Sequence, residues 1–255
     1  MTRLVSAQRH SAWREVARRI AHEIKNPLTP IQLSAERLAR KYTKEIKSDR
    51  KTFENCTQTI IRQVGSLEQM VDEFSAFARM PSPELVDTNL GAILQDAIFA
   101  QGVSFPEIRF LKSGAWPKNT HVRGDERLLS QAIANVLKNS GEAVQRKTEA
   151  GTAGHFKGEV KIELIDTGSR WAIHITDNGE GWPFKDTDRL MEPYVTTREN
   201  GTGLGLAIVK RIIEDHGGQL KLEARSDAEG ARTLIYLPQS SETAPIADIN
   251  LSEVL

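Results

Sequence analysis

Ile20-Ala21-His22-Glu23-Ile24-Lys25-Asn26-Pro27 sets one histidine on the outer side of an amphipathic helix, away from the residues that must be buried. Trp13, Ala17, Ile20, Ile24 and Ile31 follow a four-and-three spacing, which predicts the buried seam of that helix. His22 stands two positions, roughly 200°, from both Ile20 and Ile24, so its imidazole is predicted to face solvent. An exposed histidine alone is ordinary, and its meaning depends on what lies downstream.

The helical pattern runs from Ser11 to about Tyr42 and meets Pro27 and Pro30, each of which removes a backbone donor, so a kink just after His22 is expected. A second helix is predicted from about Asp49 to Arg79. There Phe53, Thr57, Ile60, Val64, Leu67, Val71, Phe74 and Ala78 alternate four and three over nearly four heptads. A thin hairpin cannot hide two such stripes, and a homodimeric four-helix bundle is the natural completion. Met80-Pro81-Ser82-Pro83-Glu84 ends the second helix. The expected organisation is a helical hairpin over 1–80, a linker over 81–88, a second domain over 89–240 and a tail over 241–255.

Composition narrows the classes. At 255 residues, 39% hydrophobic and 27% charged, the chain has ordinary soluble composition and room for two cores. Lys+Arg and Asp+Glu both total 34, which argues against a nucleic-acid or membrane binder built on overall charge. Residues 1–50 carry 12 basic and 5 acidic side chains, either a solvated helix face or a docking surface for an acidic partner. The single Cys56 excludes a disulfide within the chain, fits a reducing compartment, and is expected to be a small core residue. No apolar run reaches the length of a membrane span, and Met1 leads straight into polar sequence rather than a signal peptide.

In the second domain, Thr88 and Asn89 read as caps for a helix to about Ala100, Asp125 starts a helix to about Arg146, and Leu204–Asp215 makes a third that stops at Gly217-Gly218. Val160, Ile162 and Leu164, then Trp171, Ile173 and Ile175, alternate with polar neighbours, and Leu220–Leu222 and Leu234–Leu237 add two more strand signals. Interleaved helices and mostly antiparallel strands predict an α+β sandwich with helices on one face of the sheet.

Two glycine segments and an asparagine pair carry the chemistry. Asp177-Asn178-Gly179-Glu180-Gly181 follows a strand directly, where a carboxylate can accept from an exocyclic amine, although such a turn alone is more often a hairpin. Gly201-Thr202-Gly203-Leu204-Gly205-Leu206 opens into a helix, and amides freed of side chains there suit phosphate, yet the spacing matches neither a dinucleotide fingerprint nor a GxxxxGK[ST] loop. Asn135 and Asn139 are i and i+4 on one helix face, neutral oxygen donors of the kind a phosphate-held divalent ion accepts, or simply a solvated face.

Together these segments resemble the sensor histidine kinases of two-component systems. His22–Pro27 resembles the phosphoacceptor box, Asn135–Asn139 the N box, Asp177–Gly181 the G1 box and Gly201–Gly205 the G2 box, in family order over about residues 11–240. Trp13–Pro30 is especially similar to the nitrogen-regulation branch of the family. The resemblance implies a dimeric phosphotransfer hairpin followed by a Bergerat-type α/β sandwich that binds ATP and Mg2+. It implies that Asp177 reads the adenine amine, Gly179 and Gly181 admit the ring, and Asn139 with Asn135 holds Mg2+. Gly201, Gly203, Leu204 and Gly205 would belong to a lid and phosphate cradle, to which Thr196, Thr197 and Arg198 would add hydroxyls and a cation. His22 would accept the γ-phosphoryl group and pass it to an aspartate of a response-regulator receiver domain. Glu23 would act as base, or equally pair with Arg19; Asn26 would orient the water that removes phosphate from the receiver.

Members of that branch are membrane-anchored, so the chain would be the cytoplasmic portion of a longer protein held in the bacterial inner membrane, itself touching neither membrane nor nucleic acid. Ser140 replaces the family's alanine after the N box and Met191 the phenylalanine before Glu192-Pro193. They motivate a second reading, a nucleotide-responsive dimeric interaction or phosphatase module with little kinase turnover. His10, His121, His155, His174 and His216 match no family role and read as structural or solvent histidines.

Overall fold

The computed structural model describes residues 2–78, 80–151, 156–183, 186–196, 202–225 and 229–240; the side chains of 2–20, 69, 73 and 76–78 are not described. The chain divides into two compact units, Met1–Pro81 with Glu192–Leu204, and Ser82–Met191 with Gly205–Leu255.

In the first unit α1 (Thr2–Tyr42) and α2 (Arg50–Ala78) form a hairpin. Asp49 turns the chain between them at φ 57° and accepts the Thr52 hydroxyl at 2.7 Å. The kink expected after His22 does not interrupt the helix: α1 is continuous through Pro27 and Pro30. Those prolines withhold amides from the Glu23 and Asn26 carbonyls, while Ser34 Oγ donates to the Pro30 carbonyl at 2.7 Å, a side-chain donor on the same stretch.

The inner line of the hairpin differs from the expected seam. Ala21, Leu28 and Ala35 on α1 and Thr57, Val64 and Val71 on α2 are buried, each set at seven-residue spacing. Ile24 and Ile31 are 42% and 47% exposed, and Ile60 and Leu67 are 43% and 45% exposed. A single neighbouring helix covers only one flank of a wide apolar stripe, and the small side chains of Ala21 and Ala35 take the line of closest approach. Cys56, expected in the core, is exposed on α2. Lys25 pairs with Asp72 across the hairpin, and the Thr29 hydroxyl donates to Glu68 at 3.3 Å.

In the second unit β1 (Val86–Asn89) pairs antiparallel with β3 (His121–Gly124), so Val86–Thr88, expected in the linker, belong to this unit. The main sheet has the order β2-β4-β5-β7-β6, formed by Ile108–Ser113, Gly158–Asp166, Arg170–Asp177, Ala231–Pro238 and Gln219–Ala224. β2 runs parallel to β4 and all other neighbours are antiparallel.

Among the described residues three α-helices accompany the sheet. α3 (Leu90–Ser104) is capped by Asn89, whose side chain accepts the Ala92 amide, and α4 (Glu126–Glu149) by Asp125 in the same way from Leu128. α5 (Gly205–Asp215) stops at Gly217, φ 70°, a left-handed position that glycine adopts without strain. Leu129, Ile133, Leu137, Ile162, Ile173 and Ile213 are fully buried, each contributing about 1.5–3 kcal/mol through removal from water. Alternation along β5 buries Trp171, Ile173, Ile175 and then Asp177. The period that builds the core thus carries a carboxylate inward at its end.

Candidate functional site

α1 presents His22, Glu23 and Asn26 to solvent, between buried Ala21 and Leu28. The predicted exposure of the imidazole therefore holds, although the apolar line behind it is not the one expected. Arg19, the alternative partner of Glu23, lies among the residues whose side chains are not described.

In the second unit α4 carries half-buried Asn135 and Asn139 on one face, and Ser140 follows, 5% exposed. The Ser140 hydroxyl donates to Asp177, which also accepts, through Oδ1, the amides of Gly179 at 3.0 Å and Ala231 at 3.2 Å. Burial pushes the Asp177 carboxyl above its ordinary value of 3.8, against the Gly179 amide, the Ser140 hydroxyl, the Ala231 amide and the Arg225 charge, which all lower it. A buried acceptor with its geometry fixed by three donors suits recognition of an amine.

The two G1 glycines are required by packing. A Cβ at Gly179 would stand 2.7 Å from the Ala143 carbonyl carbon, so the turn lies directly on the α4 backbone. At Gly181, φ 81°, the same atom would meet the Gly230 carbonyl oxygen at 3.1 Å. Neither absent side chain leaves open room for a ring on that side. Asn178 staples the turn, its Oδ1 accepting the Glu159 amide at 2.9 Å and its Nδ2 donating to the Lys157 carbonyl at 2.8 Å. From the last turns of α4, the Lys147 ammonium donates to the carbonyls of Asn178 at 3.1 Å and Gly179 at 3.3 Å, and Arg146 meets Glu180 at 2.9 Å. Gly205 opens α5 with its Cβ position 3.9 Å from Asn139 Nδ2.

Gly203, Leu204 and Thr196 fall in the segment grouped with the first unit. Gly203 has φ 69°, and a Cβ there would lie 2.6 Å from the Tyr194 carbonyl carbon; the Tyr194 amide donates to the Gly203 carbonyl at 3.0 Å and closes the loop at its neck. Leu204 is fully buried and Thr196 exposed. Thr197, Arg198 and Gly201 lie outside the described residues.

The structure therefore brings Asn135, Asn139, Asp177, Gly179, Gly181 and Gly205 into one unit and places His22, Glu23 and Asn26 in the other. It adds Lys147 and the bond from Ser140 to Asp177, which the sequence did not signal because the partners are 31 to 37 positions away. Of the histidines without an assigned role, His121 pairs with Asp87 at 2.8 Å, His174 lies 3.9 Å from Glu163 and His216 is buried; the His10 side chain and His155 are outside the described residues. Among the described residues no three His, Cys, Asp or Glu side chains gather as a metal site. The available oxygens are the asparagine amides, which fit an ion carried in on phosphates.

Known proteins match both units. Residues 12–83 match the domain family described as His Kinase A (phospho-acceptor) domain, and residues 124–241 the one described as histidine kinase-, DNA gyrase B- and HSP90-like ATPase. The nitrogen regulation protein NtrY of Azorhizobium caulinodans is 50% identical over 248 residues, covering 97% of this chain and 32% of that protein. The chain spans about a third of the length of the curated relatives it matches first. Full-length ShkA in complex with AMPPNP superposes with TM-score 0.64 at 22% identity, covering 91% of this chain and 47% of that one. Histidine kinase ThkA in complex with response regulator TrrA gives TM-score 0.61 at 23% identity, covering 92% and 64%. At those identities the two structures speak for the fold alone. No helix among the described residues is long and apolar enough to cross a membrane.

Proposed function

The chain belongs to the sensor histidine kinases of two-component systems, with a phosphoacceptor domain and an ATPase-type domain in family order, and from that membership we propose that it uses ATP to phosphorylate His22 and passes the phosphoryl group to a response-regulator aspartate. The observation that carries the reading is the exposed imidazole of His22 on the outer side of the hairpin. A nitrogen of the neutral ring attacks the γ-phosphorus, the bond to the bridging oxygen of ADP breaks, and Glu23 takes the proton from the other ring nitrogen. In the reverse role Asn26 orients a water against the phosphorylated receiver.

Nucleotide recognition rests on Asp177, which accepts from the adenine amine, and on the turn that Gly179, Gly181, Asn178 and Lys147 hold against α4. Asn139 and Asn135 would hold Mg2+, which neutralises triphosphate charge. By the family resemblance, Thr196, Thr197, Arg198, Gly201, Gly203, Leu204 and Gly205 would supply the lid and phosphate cradle. The exposed flank of Ile24, Ile31, Ile60 and Leu67 supports a homodimer through a four-helix bundle. The partner is a receiver domain of the NtrX type, and the chain is the cytoplasmic part of a protein anchored in the inner membrane, as the likeness to NtrY suggests. Ser140 and Met191 motivated the alternative of an interaction or phosphatase module with little kinase turnover. Ser140 is bonded to Asp177 and Met191 is buried, which favours a fully built nucleotide site.

Incubation with γ-labelled ATP and Mg2+ should put acid-labile, alkali-stable label into the chain. His22→Gln should abolish it and Asn139→Ala should lower it about tenfold or more, the effect of losing about 1.4 kcal/mol of ligand contact. Label persisting in His22→Gln overturns the assignment. Asn26→Ala should keep autophosphorylation and lose the acceleration of receiver dephosphorylation.

A further inference from the structure

α4 and α5 pack side by side, and a contact near each end of α5 bears on their register. Near the candidate phosphate end, Gly205 faces the Asn139 amide. At the other, His216, just past the end of α5, reaches the start of α4. Its Nε2 accepts the Asp125 amide at 2.9 Å and its Nδ1 donates to the Ile212 carbonyl at 2.7 Å. A backbone amide only donates and a carbonyl only accepts, so a single neutral tautomer satisfies both.

The ring is 6% exposed, and the chain makes room for it: a Cβ at Gly124 would lie 3.2 Å from His216 Cδ2 and 2.6 Å from Leu129 Cδ1. Asp125 is fixed in turn, Oδ1 accepting the Leu128 amide at 3.1 Å and Oδ2 the Glu84 amide at 3.3 Å. The histidine therefore bonds to a residue that cannot drift, the N-cap of the helix that carries both asparagines.

We infer that His216 is a positioning residue, which fixes the lengthwise register of α5 against α4 and thereby the placing of the Gly205 turn relative to Asn139. The inference rests on the nucleotide reading above for its functional consequence. Because Asp177 is held by Gly179, Ala231 and Ser140, none of them on α5, the adenine end is independent of the His216 contact. A slip of α5 should harm binding of triphosphate with Mg2+ and leave binding of the base alone.

Two amide replacements separate the two hydrogen bonds. His216→Asn keeps a donor for the Ile212 carbonyl and is too short to reach the Asp125 amide. His216→Gln places an acceptor near the Nε2 position and gives up the bond to the Ile212 carbonyl. In the full chain, dissociation constants for Mg·AMPPNP and for adenosine are measured, with amide exchange over Ala207–Val209. His216→Asn should weaken Mg·AMPPNP by about tenfold, the effect of one buried hydrogen bond. It should also leave adenosine unchanged and speed exchange over Ala207–Val209, whereas His216→Gln should match the parent in all three. Equal effects of the two variants, or parallel loss of adenosine and Mg·AMPPNP, overturn the positioning role. A parent chain that binds neither ligand overturns the nucleotide reading instead. The exchange contrast then decides the register role alone, and equal exchange in the two variants overturns it.

Discussion

Asp177 is a carboxylate kept at 3% exposure by its neighbours, and charging it costs the fold free energy. Its folded pKa lies above 3.8, so the cost is absent below the unfolded pKa, grows as pH rises through the folded one and is constant above it. Asp177→Asn removes that cost. The variant should melt higher than the parent at pH 7, with the difference vanishing below about pH 3.8, in thermal scans run across pH. The same change should weaken ATP binding about ten- to a hundredfold in titration calorimetry. Oδ1 must remain the acceptor for Gly179 and Ala231, so the new amide would turn its N–H groups toward the adenine amine, donor against donor. Asn135, Asn139 and Asp177 were legible in sequence because each sits in a local pattern, a helical i,i+4 pair or a strand followed by glycines. The partners of Ser140, Lys147 and His216 were not. They are remote in sequence, and a serine, a lysine or a histidine on a helix has no local mark that distinguishes a cross-link from a surface residue.

At the scale of elements, the helical hairpin shows what periodicity does and does not fix. The four-and-three spacing identified α1 and α2 and the solvent side of His22, but an apolar stripe wider than one neighbour does not say which half faces that neighbour. The structure gives the inner half to Ala21, Leu28 and Ala35 and leaves Ile24, Ile31, Ile60 and Leu67 exposed, the flank proposed for a second hairpin. A groove of about 360 Å³ lined by Ile31, Leu38 and Ile60 marks that flank. Ile31→Asp with Ile60→Asp should convert a dimer into a monomer in light scattering and leave nucleotide binding intact. Each isoleucine contributes about 1.5–3 kcal/mol when buried and appears in both copies, so the dissociation constant should rise by about a hundredfold or more. Strands β1, β2 and β3 escaped sequence reading for a related reason. β1 and β3 are four residues each and, among the described residues, pair with one another alone, and β2 owes its place to a parallel partner some 50 residues later. The capped helices and strands β4 to β7 carried enough local alternation to be recognised.

At the scale of the molecule, two units with separate cores should unfold as two transitions in calorimetry. The hairpin transition should move with protein concentration, since dimerisation stabilises it by mass action. The other should rise with Mg·ATP by roughly 5–10 °C at about a hundredfold excess over the dissociation constant, from about 2.7 kcal/mol of linkage. A single transition insensitive to both would contradict the division of labour. The strand order has a colloidal consequence as well. An open sheet offers its edges to any neighbouring chain, and among the described residues the edge strands are β2 and β6. β2 exposes Arg109 and Lys112, and β6 exposes Lys221 and Glu223. Charged side chains along an edge strand must lie beside those of any strand added to it, which makes edge-to-edge stacking costly and discourages the contact that a sheet could propagate into aggregates.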